Sequence, residues 1–348
     1  MMVMDRAEGR AEDRVDDDMQ GVKTPGAEVK LDLVEAAGRL LAAVSPVTAV
    51  YTLSPRPGAW RRRVRCRCLH LMAALVLAGA GPAFSADDSA TVQLEELTWT
   101  ELQARITSGT TTVLLPLGGT EQNGPHMALG KHNARVRALA TLIAQRLGNT
   151  VVAPVLAYVP EGAIAPPTQH MRWPGTISIP EAAFQATLDG ALRSLRQHGF
   201  CQLVLLADHG GYRSSLDRVS AKLNGEWARS PCRVHALPEY YRAAAADYQR
   251  ALLAQGYHQA EIGSHAGLAD TSLTLAIAPT LVRSAALARQ SQPPHQAHQA
   301  RPDDGVSGDP TRATAELGRP GIAHIVDTSV AAIRAAMPAS NARAAKTR

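Results

Sequence analysis

Residues 111–132 read Thr-Thr-Val-Leu-Leu-Pro-Leu-Gly-Gly-Thr-Glu-Gln-Asn-Gly-Pro-His-Met-Ala-Leu-Gly-Lys-His. The β-branched and leucine run at 111–117 predicts a buried strand. The glycine- and proline-shaped turn after it carries a carboxylate (Glu121), an amide (Asn123) and two imidazoles (His126, His132). Oxygen and nitrogen donors gathered at the carboxyl end of a buried strand are how α/β proteins build metal sites. The same turn with a carboxylate that only caps a following helix is the competing reading.

Around this segment, apolar runs alternate with helix-period stretches. Further strands are predicted at 151–159, 201–207 and 232–237. Helices are predicted from a Thr98 cap through Ile106, and at 133–147, 181–198, 216–228, 243–255 and 271–278. Residues 163–180 form a long irregular connection holding His170, Trp173 and Gly175, a length that usually serves function. Residues 290–310 read as loop, followed by a helix near 311–317 and another at 326–336. The alternation implies a three-layer α/β/α fold with a mostly parallel central sheet. Such sheets bind ligands at the carboxyl ends of their strands, where Glu121 and His209 both fall.

The chain has 348 residues and a formal net charge of +5, with aromatics at only 4% and hydrophobic residues at 45%. Its basic residues make no stripe interleaved with aromatics, so nucleic acid is not an expected partner. Arg61, Arg62, Arg63, Arg65 and Arg67 instead precede a short apolar run at 69–81 and the small residues Ala83, Ser85 and Ala86. That order predicts a secretory signal peptide at 61–85, cleaved after Ser85 or Ala86. The apolar run is too short for a stable membrane span. Residues 1–60 read as a disordered or mis-annotated upstream extension, and 86–348, about 260 residues, as one α/β domain. The expected location is the periplasm or the exterior. Cys201 and Cys232 lie on neighbouring expected strands and can bridge there or remain two buried thiols.

Three more segments carry chemistry. Asp208-His209-Gly210-Gly211 places a histidine on a flexible turn after a strand, suited to a ligand or a base, or merely to capping the next helix. His265 and Asp270 open a helix, where Asp270 is a catalytic group or only an N-terminal cap. His170 with Trp173 forms a substrate lip or simple packing.

In order, these blocks resemble those of the creatininase family of metal-dependent amidohydrolases. LLPLGGTEQNGPHMALGKH is similar to its TEQHGPHLPLGTD block and QHMRWPGTISI to its EHxxFPGTISL block. LLADHGGYR is similar to its strand plus NGHGGN, SHAGLADTSL to HAGExETS, and residues 305–316 to GVxGDPxxATAE. The resemblance spans about 94–336. It implies the family's fold, a homo-oligomer, and one or two divalent ions held by a Glu, a His and an Asp of the first block, the GHGGN histidine and a further carboxylate. Carried over, Glu121 and His209 match. The first-block histidine is Asn123 here, the aspartate is His132, and the HAGE block's carboxylates are Leu268 and Asp270.

A carboxylate can bridge two cations because its charge offsets their repulsion, and a neutral His132 cannot. The expectation is therefore one ion, Zn²⁺ or Mn²⁺ with Fe²⁺ as a further option, on Glu121, His132 and His209. His265 and Asp270 are the candidate catalytic residues, His265 carrying a proton to the departing nitrogen. His170, Trp173, Asn123, His126, Gly210 and Gly211 would line the substrate site. The expected activity is hydrolysis of a non-peptide or cyclic amide C–N bond in a small molecule. A deformylase or small-peptide amidase fits the same features, and the alternative is a non-catalytic binding protein with a degraded metal site.

Overall fold

The computed structural model describes residues 91–290 and 303–337. The expected upstream extension and signal peptide lie outside the described residues. Four strands, β1 (Thr112–Leu117), β2 (Thr150–Val152), β3 (Gln202–Ala207) and β4 (Arg233–Ala236), form a sheet in the order β2-β1-β3-β4. All three pairings are parallel. The helices are α1 (Trp99–Thr107), α2 (Lys131–Leu147), α3 (Glu181–Gln197), α4 (Arg213–Glu226), α5 (Pro238–Arg242), α6 (Tyr248–Ala254), α7 (Gln259–Ile262), α8 (Leu268–Ile277), α9 (Ser284–Gln290) and α10 (Ala315–Ala336).

Side chains alternate across the sheet, and each set has its own helices. Leu114, Val152, Val204 and Leu206 pack with Val136, Leu139 and Ile143 of α2 and Ile325 and Val330 of α10. Val113, Leu115, Leu203 and Leu205 pack with Phe184, Leu188 and Leu192 of α3 and Leu216, Val219 and Leu223 of α4. Both central strands are buried throughout, as a parallel sheet covered on two faces demands. This is the three-layer α/β/α arrangement expected from the alternation.

Three boundaries differ from the sequence reading. The expected strand 151–159 stops at Val152, because Pro154 cannot donate to a ladder. The chain still follows β1, with the Leu156 amide donating to Pro116 at 3.0 Å. The expected helix 243–255 is divided by a π-helical turn at Ala243–Asp247 between α5 and α6. The two expected C-terminal helices are one, α10, which runs through Pro320. Close packing explains why the helix survives its proline. A Cβ at Gly318 would lie 2.0 Å from the Ser272 carbonyl oxygen, so α10 meets the α8 backbone there, and one at Gly321 would lie 2.8 Å from the Leu273 side chain. A disulfide joins Cys201 and Cys232 at the entries to β3 and β4.

Candidate metal centre and catalytic cleft

The carboxyl ends of β1 and β3 deliver Glu121 and His209 into the same space. Two irregular segments complete it: His170 from the Gln169–Arg172 turn and His265 from the turn before α8. Their backbones are held in the left-handed region next to each imidazole, at Gln169 (φ 49°) and Ala266 (φ 55°). Non-glycine residues enter that region at a cost, and such positions concentrate at functional sites. Glu161, from the connection after β2, also enters. A Cβ at Gly119 would lie 2.4 Å from its Oε1, so glycine is what admits this carboxyl group.

The first turns of α2 point Lys131, His132 and Arg135 at the same region. His132 Nε2 lies 2.8 Å from Glu121 Oε1 and its Nδ1 2.6 Å from Asp208 Oδ2. Arg135 donates through Nε to Asp208 at 2.9 Å and through a terminal nitrogen to Asp270 at 2.6 Å. Tyr240 donates its hydroxyl to Asp208 at 2.8 Å. Lys131, its side chain fully buried, pairs with Asp270 and lies 3.7 Å from Glu121 Oε1. Three acids (Glu121, Asp208, Asp270) thus meet Lys131, Arg135 and the His132 imidazole.

Burial disfavours every charge here, and the pairing outweighs it. Glu121 is held well below the usual carboxylate range by His132 and Lys131 despite that burial. Asp208 is held down by Arg135 and His132. Burial and Lys131 pull His132 downward, yet the carboxylates on both of its nitrogens hold it above the usual imidazole value. His132 therefore bridges Glu121 and Asp208, and it lies outside the two donor clusters that could hold an ion.

Glu161 is the fourth acid, and it has no cation of its own. Burial and the neighbouring Glu121 carboxylate push it up to about 9. Neither of its oxygens, nor Glu121 Oε2, receives a hydrogen bond from the described residues. His209 stands between the two carboxyl groups, Nδ1 3.4 Å from Glu161 and Nε2 3.6 Å from Glu121. Burial brings His209 down to about 4, so its ring is neutral at pH 7. Donor atoms of Glu121, Glu161 and His209 all lie within 4.8 Å of one another, as do those of Glu121, His170 and His265. Buried carboxyl oxygens left without a hydrogen bond beside imidazole nitrogens are what a divalent cation satisfies, so the residues fit a metal.

The other expected site residues are spread more widely. Asn123 is buried and uses its amide to pin the turn, donating to the carbonyls of Glu121 (2.9 Å) and Ala128 (3.1 Å). His126, also buried, meets the Thr271 hydroxyl at 3.0 Å at the start of α8. Asp270 neutralises Lys131 and Arg135 and accepts from the Ala266 amide at 3.0 Å. Trp173 stacks under the Arg172 guanidinium, 4.6 Å from its ring centre. Gly210 backs onto the Tyr241 ring, and Gly211 donates to His209 Nδ1 at 3.3 Å. Four residues the sequence reading passed over belong here: Lys131, Arg135, Glu161 and Gln122. The Gln122 side-chain nitrogen lies 3.0 Å from His170 Nδ1, and its backbone carbonyl is 2.9 Å from His265 Nε2. The centre opens into a cleft of about 290 Å³, walled by His170, His209, His265, Tyr241, Gln249 and Ser264 among others. The π-helical turn contributes Ala244 and Ala245 to its rim, a common use of such turns.

The family described as creatinine amidohydrolase matches residues 95–333. The creatinine amidohydrolase of Pseudomonas putida is 30% identical over 201 residues, covering 56% of this chain and 75% of that protein. The mycofactocin precursor peptide peptidase of Mycolicibacterium smegmatis is 28% identical, covering 66% of this chain and 87% of its own. Solved creatininases align over 71% of this chain and 99% of theirs. A Mn form has 26% identity and a TM-score of 0.57, and a mutant Zn-Zn form has 28% identity and a TM-score of 0.56.

Proposed function

Since this chain belongs to the creatininase family, whose members are hydrolases of C–N bonds, we propose that it is a metal-dependent amidohydrolase of a small non-peptide or cyclic amide. The observation that carries this reading is the pair of buried carboxyl groups, Glu121 and Glu161, whose Oε2 and both oxygens respectively make no hydrogen bond among the described residues and which share donor clusters with His209, His170 and His265. A binding protein that had lost its metal would gain nothing from keeping such acceptors buried.

Glu121, Glu161 and His209 would hold a divalent cation, Zn²⁺ or Mn²⁺, which would supply Lewis acidity and lower the pKa of a water toward neutrality. The chain's own groups do the rest. Glu121, Glu161 and His209 offer donors, and His132 fixes the Glu121 carboxylate by occupying Oε1. His265 Nε2 is engaged by the Gln122 carbonyl, which leaves Nδ1 facing the centre. Burial, with Lys131 nearby, brings this ring down to about 4, so at neutral pH it is unprotonated and Nδ1 is free to accept the proton that the attacking water loses and pass it to the departing nitrogen. Asp270 is spent on Lys131 and Arg135, and its part is to hold the charges in place.

A cleft of about 290 Å³ suits a small molecule better than an extended peptide. A peptide substrate, as the mycobacterial relative's name indicates for that protein, is the second reading. The disulfide favours an oxidising compartment, in line with the expected export. Exposed Trp99, Tyr158 and Ile164 are the kind of surface that self-association would cover. The test is to strip the purified protein with a chelator and reconstitute it with Zn²⁺ or Mn²⁺. It is then assayed for amine release from cyclic amides, N-formyl compounds and short peptides. Hydrolysis restored by metal supports the reading. No turnover of any class with either ion overturns it.

A further inference from the structure

Two donor groups share Glu121. One adds Glu161 and His209, and the other adds His170 and His265. A pair of ions would need both, with Glu121 between them, and a related creatininase is a Zn-Zn form. Here, however, the Lys131 ammonium sits beside Glu121 Oε1, in a side chain with no solvent exposure. His132 Nε2 already occupies the same oxygen at 2.8 Å. The group with Glu161 differs in kind. It has two carboxyl groups and a neutral imidazole, and Glu161 has no partner cation among the described residues.

We propose that the centre holds a single divalent cation between Glu121, Glu161 and His209, and that Lys131 is a built-in positive charge taking the electrostatic place of a second ion. This rests on the metal-dependent reading above and narrows it. The charges support the choice. A dication placed between Glu121 and Glu161 is matched by two carboxylates. A dication at His170 and His265 shares one carboxylate that Lys131 and His132 already use, and it is repelled by the Lys131 ammonium. Asp270 completes the device. It accepts from Lys131 and Arg135 together, so the ammonium is held in place rather than swinging into the cleft. Lys131 is therefore a positioning residue for charge.

Metal stoichiometry and ligand count test this without an activity assay. The purified full-length chain is stripped, saturated with Zn²⁺, desalted and measured by inductively coupled plasma mass spectrometry, then by zinc K-edge absorption. The expected result is one zinc per chain with one imidazole in its shell. Lys131→Met and Lys131→Gln, each checked for folding by circular dichroism, should raise the content to two, because Asp270 and the His170 side lose their competing cation. Two zincs on the unaltered chain, or two imidazoles around a single zinc, overturn the inference while leaving the proposed function standing. One zinc on the folded Lys131 variants overturns the part assigned to Lys131. No zinc on the unaltered chain overturns both the inference and the metal-dependent reading. The measurements on the unaltered chain decide the ion count and the ligand set even if both variants fail to fold.

Discussion

Replacing Asp270 by Asn separates a carboxylate kept for chemistry from one kept for charge balance. Asp270 accepts from Arg135 at 2.6 Å, pairs with Lys131, and takes the Ala266 amide at 3.0 Å. Removing one partner of a fully buried ion pair costs about 3–5 kcal/mol, because the other charge is left uncompensated. Here Arg135 keeps Asp208 at 2.8 Å, Lys131 keeps Glu121 at 3.7 Å, and the Asp270 side chain is 18% exposed. Those remaining partners and the solvent bring the expected loss to roughly 2–3 kcal/mol. For a domain of this size that is a fall in Tm of about 5–10 °C. Thermal unfolding of metal-free protein followed by circular dichroism measures it. The double variant Asp270→Asn with Lys131→Met should recover at least half of the loss, since the pair is then removed together. The pH dependence has a definite sign. Burial raises Asp270, but Lys131 and Arg135 hold it well below the usual carboxylate value. Its contribution is complete above the ordinary value of about 4 and declines as pH falls further, so variant and parent converge in acid. A variant that melts with the parent at pH 7 while kcat collapses would refute the argument and return Asp270 to a catalytic role.

Four other outcomes follow from the same structure. Reducing the Cys201–Cys232 disulfide, which spans 31 residues, should cost about 3–4 kcal/mol by loop-closure entropy, read as a lower urea midpoint with dithiothreitol. Gly318→Ala, normally favourable in a helix, should destabilise by about 1–3 kcal/mol, because its methyl meets the Ser272 carbonyl; an unchanged midpoint would show that α10 can slide. Pro320→Ala, exposed on α10, should stabilise by about 1–2 kcal/mol by restoring a helix hydrogen bond, less the entropy that proline removes from the unfolded chain. Zn²⁺ at 100 times its Kd should add about 2.7 kcal/mol to unfolding stability, a shift that His209→Ala should abolish and Asn123→Ala should not.

Much of the fold was legible because its determinants are local. The runs at 111–117 and 201–207 are apolar on both faces, and only a strand covered on two sides reads that way. The capping box at Thr98 and Glu101 located α1 from two residues. The misread boundaries are those where a distant contact overrides a local rule. Pro320 reads as a helix breaker, and nothing near it in sequence reveals that Gly318 and Gly321 let α10 lie against α8. The same applies to the disulfide, since two cysteines 31 residues apart leave both outcomes open until β3 and β4 are seen side by side.

The site shows the sharper limit. Which residues reach the carboxyl ends of the strands follows from topology, so Glu121, His209, His170 and His265 could be named from sequence blocks. What each one does depends on who stands opposite, and that is a property of pairs. His132 looks like a ligand by type and spacing. It became a bridge because Asp208 and Glu121 arrive on both of its nitrogens, and it lies outside the two donor clusters that could hold an ion. Glu161 shows the converse. It stands in Pro160-Glu161-Gly162, a stretch that reads as an ordinary surface turn, and its weight comes only from being buried beside Glu121 without a counter-charge. One signal was available: in the first block an acid had been exchanged for His132, with Lys131 immediately before it. A site that loses an acid beside an ammonium and still binds a dication needs a further carboxylate, and the long connection after β2 was the place to look for it.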